Sequence, residues 1–234
     1  FDEPKGKSPE VEVNGGYFKG GASYQLNSNS NIFFNAGVIK RPPVFDGVFI
    51  NADYDYEQAE IIENESITSV ELGYNYFGKK VKAKVNAYST VWGDRSFVDY
   101  TSSANETIRT VFNGVEQTHT GVEVEATWFA MSDLVINTSI SAANWRYTKN
   151  FEGVSTDADT GASLGSTGTL YMEDVKIGDA AQLTAFLGAR YFVTSDLSVD
   201  LDVFSFDNLF GDFDVTDSVF REQNNKGAIQ LPAY

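Results

Sequence analysis

The sequence has no cysteine and a single histidine, His119. The first absence excludes disulfides, thiolate nucleophiles and cysteine-held metals. The second leaves no imidazole set for a histidine-rich metal site. Cations are scarce: 17 Lys and Arg against 33 Asp and Glu give a net charge of -16, which excludes a nucleic-acid partner. Nowhere do about 18 apolar residues run together, so no transmembrane helix is expected. The opening FDEPKGKSPE has no apolar stretch and is not a signal peptide. No nucleophile motif accompanies His119, which reads as a solvated or interface side chain, and the chain is not expected to be an enzyme.

What is present is alternation. In LSVDLDVF, Leu197, Val199, Leu201 and Val203 alternate with Ser198, Asp200 and Asp202. A strand sends such neighbours to opposite faces, one of hydrocarbon and one carrying two carboxylates. The same period recurs at 15–26, 31–40, 66–77, 80–92, 119–129, 134–147 and 179–193, so about eight strands are expected. Lys19, Glu71, Lys82, Lys84, Glu123, Glu125, Arg190, Asp200 and Asp202 all fall on the parity opposite the aliphatic residues. A Lys or Arg facing lipid at mid-bilayer costs about 2–4 kcal/mol, so this segregation suits strands with one face in lipid and one in a hydrated lumen.

The connections point the same way. Short turns at 27–31, 78–79, 130–133 and 194–196 alternate with long segments at 41–65, 93–118, 148–178 and from 207 onward. A small hairpin is expected around Asn113-Gly114 within the second long segment. Short turns on one side and long loops on the other are the layout of an outer-membrane barrel. Aromatic residues are plentiful, with 18 Phe and 12 Tyr. Tyr24, Phe33, Phe34, Tyr76, Phe77, Trp128, Phe129, Tyr191 and Phe192 lie near the short turns. Tyr88, Trp92, Trp145, Tyr147, Phe204 and Phe206 lie at the other strand ends. Two belts bracketing an aliphatic band would match two membrane–water interfaces. A soluble antiparallel sandwich also alternates, but neither the belts nor the sorting of connections belongs to it.

The stretches FFNAGVIKRPPVFDGVF, SVELGYNYFGKKVKAKVNAYSTVW, GVEVEATW, NWRYTKNF, IGDAAQLTAFLGARYFV and FDNLFGDFD, in this order, cover nearly the whole chain. With that order and spacing the sequence resembles TonB-dependent receptors of the outer membrane, in the form common in Bacteroidetes-type bacteria. The resemblance implies a fold of class all-β: a transmembrane antiparallel β-barrel, of which residues 1–234 would be one segment of about eight strands in a barrel of about 22. Neither a plug domain nor a TonB-binding box is recognisable, and the family's last strands are not matched. It also implies a Gram-negative outer-membrane location and active uptake of a scarce solute such as a ferric siderophore or another nutrient. The energy would come through TonB, ExbB and ExbD, reached by the N-terminal region that is not matched here. Two alternatives stand beside it: a small closed barrel acting as adhesin or scaffold, and an importer of glycans or peptides paired with a surface lipoprotein, of the SusC-like kind. Both ends of the chain would fall on the outer side, unlike the termini of a self-contained barrel.

Ligand capture in such a wall would use aromatics and polar partners of the outer loops and upper lumen. The candidates are Phe45, Phe49, Tyr54, Tyr56, Trp92, Arg95 and Trp145; the plainer reading of Trp92 and Trp145 is as interfacial anchors. No cofactor is expected. The acidic loop 41–65, with Asp53, Asp55 and Glu57 at alternate positions, has the oxygen ligands for Ca²⁺, against the simpler reading of a solvated loop.

Overall fold

The computed structural model describes residues 8–49, 63–102 and 106–211. Eight strands form an antiparallel meander in which each pairs with its neighbour along the chain. They are β1 (Gly16–Asn27), β2 (Ser30–Arg41), β3 (Glu65–Phe77), β4 (Val81–Ser102), β5 (Thr107–Phe129), β6 (Leu134–Tyr147), β9 (Ala181–Phe192) and β10 (Ser198–Leu209). Two short strands, β7 (Gly153–Asp157) and β8 (Ser163–Ser166), lie off this path: β7 pairs with β5, and β8 with β7. The one helix among the described residues, α1 (Phe45–Val48), is a single turn in the β2–β3 connection.

The register keeps the two parities apart across the full width of the sheet. One row runs Phe34, Leu72, Ala87, Val122, Ala142 and Leu183 through successive pairs. A second runs Ile32, Tyr74, Val85, Val124, Ile140 and Ala185. The row beside the second, on the opposite face, carries Asn31, Asn75, Lys84, Glu125 and Ser139. In a soluble sandwich the apolar rows would be covered by a second sheet. Here Leu72 is 59% exposed, Leu187 53% and Leu201 68%. Burying one such side chain is worth about 1.5–3 kcal/mol. A face this wide left in water would forfeit more than a domain's whole net stability of about 5–15 kcal/mol. Lipid is the solvent that fits it, and the polar face is then the lumen wall. In LSVDLDVF the expected assignment holds: Leu201 pairs with Ala189 on the apolar face, and Asp200 bonds to Arg190 on the polar one.

Two expectations need correction. First, 93–118 is not a loop. β4 and β5 continue through it as one hairpin, paired out to Ser102 and Thr107. Asn113-Gly114 is not a turn but a bulge in that hairpin. The register slips by one residue between Trp92 and Arg95 and slips back between Arg95 and Phe97. Asp94 and Gly114 take the left-handed backbone (φ 54° and 71°) that the two bulges require. Second, all six rings assigned to the outer belt (Tyr88, Trp92, Trp145, Tyr147, Phe204 and Phe206) sit on the lumen parity, so they do not face lipid. At the short-turn end Tyr24, Tyr76, Trp128 and Tyr191 do face outward and remain exposed, the arrangement of an interfacial girdle. The closed eight-stranded barrel, the alternative to a segment of a larger one, is not formed. Among the described residues β1 pairs only with β2, and β10 only with β9. Unpaired edges are unfavourable in hydrocarbon, so the sheet of the described residues is part of a barrel and not a closed one.

Conventional burial occurs beyond the spanning strands. Phe112, Val115, Phe151, Leu170, Met172 and Val175 form one cluster, flanked by Phe97 and Tyr147. The segment 148–178 folds back through β7 and β8 onto the projecting β4–β5 arm to build it. The Phe112 and Phe151 rings meet edge to face at 5.6 Å. The long outer connections thus form a packed module.

Candidate lumen-face binding wall

The lumen face changes character along its height. Its lower half holds small polar pairs. Asn75 Nδ2 donates to Asn31 Oδ1 at 2.9 Å, Asn35 Nδ2 donates to Glu71 Oε2 at 2.9 Å, and Lys84 faces Glu125 at 3.4 Å. The upper end is lined by rings and guanidinium groups from β2, β4, β5 and β6.

Trp92 is the last residue of β4 before the bulge. The guanidinium of Arg95 lies 5.3 Å from its ring centroid and that of Arg41 lies 6.0 Å away. Each such contact is worth about 0.5–1 kcal/mol at an exposed site. Both cations converge on one carboxylate. Arg95 Nε donates to Glu65 Oε1 at 3.0 Å, and Arg41 Nε donates to Glu65 Oε2. The second carboxylate oxygen is within reach of Arg41 because Arg41 and Glu65 are directly paired across β2 and β3. Arg95 also donates from Nη1 to Gln117 Oε1. The Glu65 side chain is 7% exposed, against 52% for Arg41 and 35% for Arg95. The carboxylate therefore lies beneath the two cations.

His119 continues the wall on β5. Its ring stacks on Trp145 of β6 at 5.3 Å with 26° between planes, and stands 6.3 Å from Trp92. Trp145 is fixed at both ends. Its indole N–H donates to Tyr88 Oη at 3.1 Å. Its backbone N–H donates to Gln182 Oε1 at 2.9 Å, and Gln182 Nε2 donates back to its carbonyl at 3.0 Å. Tyr88 reaches across β5 because residue 121 is glycine: a Cβ there would stand 2.6 Å from the tyrosine oxygen. Among the described residues His119 Nε2 is buried without a hydrogen-bond partner. An unmet polar atom of this kind costs about 1–3 kcal/mol, a cost a purely structural cluster would have no reason to keep.

Of the expected ligand residues, Trp92, Arg95 and Trp145 come together here, linked by His119. Their position on the lumen parity removes the anchor reading for both tryptophans. Phe45 and Phe49 do not join them. Phe45 opens α1 and Phe49 caps its end, with rings 5.0 Å apart; Phe49 is buried, and its carbonyl accepts from Arg109 Nη2 at 3.5 Å. Phe49 therefore anchors the β2–β3 connection to the β4–β5 arm, as does Asn113, whose Nδ2 donates to the Gly47 carbonyl at 3.3 Å. Tyr54 and Tyr56 lie outside the described residues, as do Asp53, Asp55 and Glu57 of the acidic loop. Glu65, counted in that loop, is committed to two arginines. Among the described residues no group of three or more carboxylate or imidazole side chains is placed to hold a metal. Arg41, Glu65, Tyr88, Gln117, His119 and Gln182 were not among the expected ligand residues. Parity alone would have placed Tyr88 and His119 beside Trp92; the Arg41–Glu65 pair needed the β2–β3 register.

Comparison with known proteins gives one family. The family model described as TonB dependent receptor-like, beta-barrel matches residues 5–234. A solved structure described as a copper transporter, OprC, is similar with a TM-score of 0.48 and 14% sequence identity, over 82% of this chain and 34% of that one. This chain thus spans about a third of that protein's length. No curated protein matches the sequence.

Proposed function

The chain belongs to the TonB-dependent receptor-like β-barrel family and is a protein of the Gram-negative outer membrane, and from this premise we propose that it is the wall of an active importer for a scarce solute. The observation that carries the reading is the aromatic and guanidinium wall at the outer end of the lumen face. A structural lumen needs only small hydrated pairs, such as those of its lower half. Wide rings on the lumen side of the sheet, one of them fixed by a hydrogen bond at its edge, suit capture of a solute arriving from outside.

In this proposal Trp92, Arg95 and Trp145 contact the solute, with Arg41 and His119 beside them. On the same proposal the plug domain and the contact with TonB, ExbB and ExbD belong to other parts of the receptor, and the family's barrel model covers residues 5–234 of this chain. Ferric siderophores are one fitting class of cargo; a Bacteroidetes-type importer working with a surface lipoprotein is the other form the proposal takes. The test is uptake by a strain lacking the receptor, using labelled ferric siderophores, cobalamin, oligosaccharides and peptides. Uptake of one class should fall to the level of a TonB-depleted strain. Unchanged uptake of every class would overturn the proposal, and a lipoprotein recovered with the receptor in detergent would select its second form.

A further inference from the structure

The charge arithmetic of the wall names a class of ligand. Arg41, Arg95 and Glu65 sum to one positive charge. Asp94, the nearest other carboxylate in sequence, accepts from Ser66 Oγ at 3.4 Å, and Ser66 lies on the opposite parity from Glu65. Among the described residues it therefore leaves the lumen-side balance unchanged. The carboxylate is covered and the cations are not: Glu65 is 7% exposed, Arg41 52% and Arg95 35%. Arg41 uses only Nε on Glu65, and Arg95 uses Nε and Nη1 on Glu65 and Gln117. Among the described residues the remaining Nη donors of both guanidiniums have no protein acceptor, and both guanidiniums stand against the Trp92 ring. This stands in a chain of net charge -16, where an uncovered cation pair is not a general surface property.

We propose that this wall selects solutes bearing an anionic group, carboxylate or phosphate, attached to a planar or ring-shaped body. The anion meets the free edges of Arg41 and Arg95, and the ring lies along the slab formed by Trp92, His119 and Trp145. A guanidinium fork matches a carboxylate or phosphate in geometry as well as charge. Glu65 is a positioning residue: it holds the two cations at one height and cancels one of them, so that a single charge faces the lumen. The inference rests on the binding-wall reading given above.

The test uses the full-length receptor in detergent and three ¹⁹F NMR probes: 4-fluorobenzoate, 4-fluorobenzyl alcohol and 4-fluorobenzylammonium. The benzoate should bind about ten-fold more tightly than the alcohol, the difference a charged hydrogen-bonded partner supplies, and the ammonium most weakly. Arg41→Gln brings the local charge to zero and should erase the preference for benzoate. Glu65→Gln raises it to plus two and should strengthen benzoate binding about several-fold. The order Glu65→Gln, wild type, Arg41→Gln is the signature, because a merely structural network would weaken binding in both variants. The half-exposed Arg41 is the safer variant for folding, and its result alone decides the charge preference. Equal binding of all three probes to the wild type overturns the inference and leaves the wall standing. Absence of binding by any probe overturns the wall and the inference together.

Discussion

Replacing Val124 by lysine should cost about 2–4 kcal/mol, whereas changing its neighbour Glu125 should cost almost nothing. Val124 lies between Val85 and Ile140 on the apolar face. It is five residues from Phe129, the end of β5 at the short-turn side. At about 3.4 Å per residue this is about 17 Å along the strand. A tilt of about 40° reduces it to about 13 Å of depth, the middle of an apolar band about 25 Å tall. An ammonium there meets the full mid-bilayer penalty, a factor of about 30 to 700 in the folding equilibrium. Glu125 faces the lumen and its contact with Lys84, 3.4 Å long, joins two side chains about 60% exposed. Such a pair contributes about 0–1 kcal/mol, so Glu125→Gln should be nearly silent. The assay is urea unfolding of the full-length receptor in lipid vesicles, followed by tryptophan fluorescence. Equal costs at the two positions would refute the assignment of faces, whatever their absolute size.

Other outcomes follow from named contacts. Spin labels at Leu201 and Asp202 should differ, the first quenched by a lipid-soluble reagent and the second by a water-soluble one; equal quenching would sink the assignment of β10. Gly121→Val should push Tyr88 from its place over residue 121 and release the Trp145 indole, read as a change in near-ultraviolet circular dichroism; an unchanged spectrum would show that the glycine is not what admits Tyr88. Leu170→Ala, at a fully buried site, should cost about 2–5 kcal/mol. The loss should appear as faster hydrogen exchange in β7 and β8 with β1 to β3 unaffected; exchange rising everywhere would contradict a separate outer module. Asp157 accepts hydrogen bonds from the backbone N–H groups of Thr160 and Asp159, which hold its carboxyl below the usual range. A lowered native pKa means its contribution is complete above the ordinary carboxylate range and is lost as pH falls through the lowered value. Protection of the Thr160 amide should follow that course and be absent in Asp157→Ala at every pH; identical protection in the variant would remove the carboxylate from the account.

The spanning sheet was legible because its signal has a period of two and repeats in every strand. Lys82, Lys84, Glu123 and Glu125 marked one face, Val85, Val122 and Val124 the other, and the register joins them row by row. The outer module was not legible from the same signal. Its core draws Phe112 and Val115 from a strand interrupted by a bulge, and Phe151, Leu170, Met172 and Val175 from a segment dominated by Gly, Ser, Thr and Asp. No period connects residues so spaced. Gly114 misled for a related reason: a glycine after asparagine serves a hairpin turn and a bulge equally well, and only the pairing of Phe97 with Phe112 decides. The binding wall was half legible. Trp92 and Trp145 share parity with charged neighbours on their own or adjoining strands, which already excluded lipid contact, whereas grouping them by strand end alone suggested an interfacial belt.

That parity bears on what the rings do. Tyrosine and tryptophan at a lipid interface gain by placing hydrocarbon in the acyl region and a polar tip among headgroups. Trp128 and Tyr191, facing outward at the short-turn end, fit this rationale. Trp92 and Trp145 gain nothing of the kind, because they sit half-buried on the lumen side of the sheet. The chain offsets part of their exposure with cations over one ring and an imidazole on the other, and it fixes Trp145 through Tyr88 and Gln182. The result keeps the ring planes at fixed height and tilt while leaving area uncovered. A fold seeking stability alone would bury these rings, as it does Phe112 in the outer core. Holding them rigid and accessible lowers the ordering cost for whatever binds against them, which is why the upper lumen, and not the better-packed module above it, is the place to expect recognition.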